Sequence, residues 1–343
     1  MKAPFIIDAH AHLAGLGHGG SGCFIARHKF HSLLYRFMRM KLGIYHAHRE
    51  ERLDQAYLER LDLDVSKALE HRALNAVVLF PHERIYDDHG DVLPRQELFV
   101  PNEYAFACSE RPETLGRFLP AMSIHPYRRD ALDETARWIE RGAAAMKWLP
   151  NSQNIDPRDQ RCLPLYDLLA RHSVPLIAHT GGEHTVSICR PAYGDPLLLQ
   201  PALDRGVTVI LAHCGTRSGI WDTDWLPRFC EMARKYPRCY GDTSAFCTPG
   251  RSRFMGRILR ENGVVEKLIH GSDYAVPPTA WMSVRKLGWR KTRELQSVWS
   301  FLERDIRIKR AMGFPDAVFT QAAGLLAPRS LKRFIPEQNN TSV

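Results

Sequence analysis

The sequence predicts a closed (β/α)8 TIM barrel. Three observations carry that reading: eight apolar runs of strand length, punctuated helix-like segments between them, and a repeat of about 30 residues between the later runs. The runs fall at residues 5–11, 75–80, 118–124, 144–149, 175–178, 207–212, 239–241 and 268–269 of a 343-residue chain. Between them, 130–141 opens on Asp130 as a helix cap and stops at Gly142. Likewise 196–205 stops at Gly206 and 253–262 at Gly263. The rival, an open doubly wound sheet, needs a glycine-rich phosphate turn leading into a helix. Residues 15–20 (Gly-Leu-Gly-His-Gly-Gly) lack the helix directly after them and the acid about 20 positions on, so the barrel wins.

The first unit is too long. Residues 14–70 are therefore expected to hold an insertion at the barrel mouth, and 279–330 to hold closing helices, all within one domain spanning 1–343. Residues 13–49 contain no acid but six Arg/Lys and five His, and 31–41 has an apolar stripe at helical spacing. We expect a helix packed on the barrel rather than one lying on a membrane, as a lid whose cations would favour an anionic substrate.

Composition is ordinary for a globular protein, with 44% hydrophobic and 25% charged residues. No run approaches the ~20 apolar residues of a membrane span. Asp8 interrupts the amino terminus too early for a secretory signal. The eight cysteines are never closer than eight positions apart, which argues for reduced thiols and a cytoplasmic setting. The net charge of +9 resides in residues 251–343, with 17 Arg/Lys against 8 Asp/Glu. Interspersed acids and the lack of any recognition motif favour a solvated helical surface there. Neither a nucleic acid nor a membrane partner is expected, while a homo-oligomer is allowed.

Chemistry-bearing residues recur where apolar runs end. His10-Ala11-His12 closes the first run. With 16 histidines, chance gives roughly 0.7 such pairs, so the setting matters more than the spacing. Indeed His46-Ala47-His48 is a second pair with no such setting. On a strand, i and i+2 share a face, which turns both His10 and His12 into the barrel mouth. Lys147, in a chain with 11 lysines against 36 arginines, ends the fourth run; His179 ends the fifth, His213 the sixth, and His270-Gly271-Ser272-Asp273 the eighth. A closed barrel brings these endings to one rim, where a divalent cation satisfies several of them at once. Arg217, Arg190, His125 and His184 also follow strands, and Arg217 is expected to meet a substrate carboxylate.

In order, Asp8-Ala9-His10-Ala11-His12, Met146-Lys147, His179, His213 and His270-Gly271-Ser272-Asp273 resemble the amidohydrolase superfamily. The likeness is to its amidohydrolase-related branch, which includes aminocarboxymuconate semialdehyde decarboxylase-like enzymes, and covers roughly 4–326. The resemblance implies a divalent ion, usually zinc, on His10, His12, His179 and Asp273, with His213 beside the reacting groups. In binuclear relatives the lysine matching Lys147 is carboxylated and bridges two metals, and His179 and His213 go to the second. One ion per chain is the expectation and two the alternative. The implied activity is metal-dependent hydrolysis of a small, carboxylated amide, ester, lactone or C–C bond next to a carbonyl. Decarboxylation with the same ligands is the alternative.

Overall fold

The computed structural model describes residues 5–44 and 50–335; the pair His46 and His48 lies outside them. All eight expected strands form: β1 (Ile7–His12), β2 (Ala76–Phe80), β3 (Phe118–Pro120), β4 (Met146–Trp148), β5 (Leu176–His179), β6 (Val209–Ala212), β7 (Cys239–Asp242) and β8 (Leu268–Ile269). Parallel pairing runs β1-β2-β3 and β4-β5-β6-β7-β8. Two parallel bridges close the ring, Met122 with Met146 and Ala11 with Tyr274. At the second seam the Ala9 N–H donates to the His270 carbonyl at 3.0 Å and the Asp273 N–H to the His10 carbonyl at 2.9 Å. The strands are buried almost throughout, as expected of a parallel sheet wrapped by helices.

The helices follow the expected punctuation with three differences. Ala131–Arg141 ends at Gly142, whose φ of 93° is the left-handed turn that glycine makes cheaply. Asp130 precedes it but does not cap it, because Arg128 takes both carboxylate oxygens. Residues 196–205 form a 3-10 turn, Pro196–Leu199, and a short helix, Gln200–Asp204, since Pro201 has no N–H to continue one ladder. Arg253–Ile258 stops four residues early, where turns tighten to i→i−3 bonds. All eight cysteines are unpaired thiols, seven of them buried. No helix among the described residues is long and apolar enough to cross a membrane.

The segment after β1 holds helix α1 (Leu33–Leu42), capped by Ser32, and helix α2 (Leu53–Glu70). Helix α2 buries Leu61, Val65 and Ala68 and packs on the helix Phe301–Met312. It is thus the barrel's own first helix, and the insert ends near residue 52 rather than 70. Asp54 ties the insert's entry by accepting from Leu16 N, Gly17 N and Ser21 Oγ. A Cβ on Gly15 would stand 2.5 Å from that carboxylate, so a side chain there would push Asp54 off its three donors.

Glu97, between β2 and β3, pins the insert from the other side. Its carboxylate accepts from Ser187 N and Oγ at 2.7 Å each and pairs with His28 and Lys29 at 3.2 Å. Burial alone would raise its pKa, but the Ser187, His28 and Lys29 contacts outweigh burial and pull it down to about 2 from 4.5. A depressed folded-state pKa stabilises above pH 4.5, and that stabilisation is lost as pH falls towards 2. The hydrogen-exchange protection factors of residues 24–42, taken against the intrinsic rate at each pH, are therefore expected to fall through this window. Glu97→Gln should already exchange roughly tenfold faster at neutral pH, since a hydrogen bond to a charged group is worth about 1.5–3 kcal/mol. Unchanged protection in the variant would show that Glu97 does not hold the insert.

Candidate metal centre

At the carboxyl ends of the strands, His10 and His12 stand side by side, as strand alternation requires, with Nε2 atoms 3.1 Å apart. Asp273 Oδ1 lies 3.3 Å from His10 Nε2 and 3.4 Å from His12 Nε2. Lys147 Nζ reaches His10 Nε2 at 3.2 Å from below. The His213 ring centre is 5.2 Å from that of His10 and 4.8 Å from that of His179. Six residues singled out along 263 positions of sequence thus meet at one place. Two of them sit on backbone that favours glycine: φ is 60° at His213 and 68° at Asp273. Such strain costs of order 1–3 kcal/mol each and persists only where surrounding structure enforces it. Here the His213 N–H is held by Asp242 Oδ1 at 2.9 Å and the Asp273 N–H by the His10 carbonyl.

Asp242, at the end of β7, sets the protons. Its Oδ2 accepts from His10 Nδ1 at 2.7 Å. Its Oδ1 accepts from Ser244 Oγ, which in turn stands 2.8 Å from His213 Nδ1. With the hydroxyl proton spent on Asp242, Ser244 Oγ accepts from His213 Nδ1–H. Both imidazoles therefore carry their proton on Nδ1 and present a bare Nε2 to the site. Burial would raise the Asp242 carboxyl, but the hydrogen bond from His10 Nδ1–H and the nearby Lys147 ammonium hold it far below the carboxylate range. Burial, with Arg251 nearby, pushes His213 well below an ordinary imidazole, so it is neutral.

The donor set fits a divalent cation. Nε2 atoms of His10 and His12 and a carboxylate oxygen crowd one point, and the buried His179 Nε2 has no hydrogen-bond partner. One ligand atom each from His10, His213 and Asp273 falls within 4.8 Å of the others. Converging lone pairs and an orphaned buried nitrogen are what a cation relieves. His179 Nδ1 faces Glu183 Oε2 at 3.5 Å, the carboxylate–imidazole pairing that orients metal ligands.

His12, His179, Glu183, His213 and Asp273 form the floor of a cavity of about 470 Å3, in the range of small-molecule sites. Its roof is the inner side of α1, with Leu34, Tyr35, Met38 and Leu42, joined by Phe30 and Ile44. The lid was expected to offer cations; it lines the cavity mainly with apolar side chains, and among the described residues Arg39 is its one basic residue there. His28 and Lys29 are turned to Glu97 instead.

Three expected substrate contacts are not on this cavity. Arg217 reaches the Ile220 carbonyl, and Arg190 is spent on Asn154 and Asp88. Buried His125 uses both ring nitrogens, one against the Gln153 carbonyl at 2.8 Å and one accepting from Tyr127 N at 3.1 Å. In their place stand Arg251, Glu183 and His82, with His184 also on the wall. Burial holds His82 down to about 3, and its Nδ1 has no partner. The Arg251 guanidinium, 3% exposed, donates to the Thr216 carbonyl at 2.6 Å and the Gly182 carbonyl at 2.5 Å.

A family model described as Amidohydrolase matches residues 7–309. The chain belongs to the amidohydrolase family. No curated protein matches it. Among solved structures, the amidohydrolase is similar to an uncharacterized TIM-barrel protein from Bordetella bronchiseptica, with TM-score 0.59, 15% identity, and 97% of this chain and 99% of that one covered. It is similar to 4-oxalomesaconate hydratase from Rhodopseudomonas palustris, with TM-score 0.56, 16% identity and 98% and 99% covered. It is also similar to 2,6-dihydroxybenzoate decarboxylase, crystallised with 2,6-dihydroxybenzoate, with TM-score 0.52, 13% identity and 97% and 99% covered. These likenesses speak to the fold. The chain is an enzyme of the amidohydrolase type.

Proposed function

We propose that the chain is a hydrolase that opens an ester, amide, lactone or activated C–C bond of a small organic substrate. The proposed centre is one divalent ion, zinc being the first candidate, held by His10, His12, His179 and Asp273. The observation that carries this reading is the meeting of His10 Nε2, His12 Nε2 and Asp273 Oδ1 within 3.1–3.4 Å beside the orphaned His179 Nε2, with His12, His179 and Asp273 lining one cavity. When bound, such an ion supplies polarisation of a carbonyl and an acidified water. In this reading Asp273 takes a proton from the attacking water and returns it to the leaving group. His213, neutral with a bare Nε2, accepts a hydrogen bond from water or a substrate hydroxyl and orients it. The apolar roof excludes solvent and takes the body of the substrate.

The family's other chemistry, decarboxylation, has one observation in its favour. Arg251 is a buried cation on the cavity wall whose hydrogen bonds go to Thr216 and Gly182, and among the described residues it has no carboxylate within 4 Å. A substrate carboxylate would fill that role. Metal analysis of protein purified without chelator, then a screen of lactones, amides and unsaturated dicarboxylates in heavy-oxygen water, separates the readings. Label in the product supports hydrolysis. Release of CO2 without label supports the lyase, and a metal-free protein inert to every compound overturns both.

Lys147 bears on the number of ions. Burial pushes its pKa down to about 8, against the pull of Asp242 and Asp273. Near neutral pH it remains mostly ammonium, and carbamate formation needs the neutral amine. The chain is expected to saturate near one ion, and Lys147→Met to keep it. Two ions per chain in the native protein, falling in the variant, would establish the carboxylated binuclear form.

A further inference from the structure

We propose that one side of the barrel rim, made by the outer face of α1 and by the segment that follows β8, docks on an anionic lipid surface. Helix α1 is two-sided. Leu34, Tyr35, Met38 and Leu42 line the cavity; Leu33 and Met40 are 84% and 53% exposed, and Phe37, which also lines the cavity, is 45% exposed. Positions 33, 37 and 40 make one stripe along a helix, and exposed Arg36 and Lys41 flank it on either side. An apolar stripe bordered by long cationic side chains suits a helix lying in a membrane interface, where the stems follow the apolar face and the charges stay with the headgroups.

The helix Val284–Gln296 repeats this chemistry independently. Met282 and Trp289 are 50% and 68% exposed, beside exposed Arg285 and Arg290, and residues 284–293 contain no acid. Exposed tryptophan among arginines is the signature of an interfacial belt. The two segments leave adjacent strands: β1 and β8 are joined by the Ala11–Tyr274 bridge, and both chains depart at the mouth end. Both segments therefore start from the same seam of the barrel.

Charge complementarity selects the occupant. A second copy docked by a two-fold axis would lay these predominantly basic segments against themselves, and like charges repel. A nucleic acid would pair with the arginines but would leave Leu33 and Met40 with nothing apolar to enter. An anionic bilayer answers both the cations and the apolar tips. This departs from the expectation, drawn from sequence, that no membrane is a partner. The docking stands apart from the hydrolase reading; only its corollary, that the cavity under α1 then faces a lipid phase, rests on it.

The test is co-sedimentation of the full chain with vesicles of phosphatidylcholine alone or mixed with phosphatidylglycerol. Binding to the mixed vesicles is expected to be at least about tenfold tighter and to weaken with salt. The double variant Leu33→Ser, Met40→Ser should lose about tenfold in that binding, and Arg285→Glu, Arg290→Glu, on the other segment, should do so independently. Equal binding to both vesicles, or native binding by either folded variant, overturns the proposal. So does binding to duplex DNA that Leu33→Ser, Met40→Ser leaves intact. A dimer that this variant dissociates would identify a second copy as the occupant and overturn it as well.

Discussion

Asp273→Asn is expected to lower turnover by about a hundred- to ten-thousandfold, the usual worth of a positioned acid–base group. The fold should survive. Position 273 has φ 68°, a left-handed conformation that asparagine adopts nearly as readily as aspartate, and its backbone N–H remains free to bond the His10 carbonyl. An amide oxygen still lies near His10 and His12, so part of the metal affinity is expected to remain and substrate to bind. What asparagine cannot do is take a proton at neutral pH. Turnover, metal content and substrate affinity on this one variant separate chemistry from architecture. Near-normal turnover would reduce Asp273 to a turn residue and end the mechanism proposed here.

The sequence announces such residues because of where a barrel puts its strand ends. A histidine after an apolar run is ambiguous alone, but a parallel barrel forces every such ending to one rim. That is why His10, His12, Lys147, His179, His213 and Asp273 are recognisable before any coordinates. The same reasoning, carried one residue past the seventh run, reaches Asp242. Carried two residues past the second, it reaches His82. Both went unnoticed because residues 239–241 look complete as a strand and Pro81 separates His82 from its run.

Other members of the site carry no such signal. Glu183 reaches His179 only because the turn at Gly181, with φ 85°, folds the loop back over the strand end. Arg251 is one of 36 arginines, and its burial depends on two carbonyls, Thr216 and Gly182, contributed by separate loops. The opposite error has the same origin. Arg217, Arg190 and His125 obey the positional rule, yet nearer partners consume them. Composition likewise fails for the insert. An acid-free segment says that a helix is basic, while the side chains that meet the cavity depend on its rotation about its axis.

Asp242→Asn is expected to weaken divalent-metal affinity by about 10–100-fold, the range found when a carboxylate that orients a metal-binding imidazole is lost. One carboxylate here governs two rings. Oδ2 requires a proton on His10 Nδ1, and Oδ1, through the Ser244 hydroxyl, requires one on His213 Nδ1. An asparagine has one acceptor and one donor where two acceptors are needed. With its NH2 turned to His10, the imidazole must accept on Nδ1, and its proton moves to Nε2, the atom facing His12 and Asp273. With its NH2 turned to Ser244, the backbone N–H groups of His213 and Ser244 and the serine hydroxyl lose their shared acceptor. That releases the strained turn at His213. Ser244→Ala serves as the control: it removes the hydroxyl's contacts to Asp242 Oδ1 and His213 Nδ1 but leaves the Asp242–His10 bond, so it should spare metal binding while lowering turnover. A chelator-competition titration reads the affinity directly. If folded Asp242→Asn binds metal within about threefold of the native chain, well short of that range, the proton placement on His10 is wrong, and the lone pair offered to the cation comes from elsewhere.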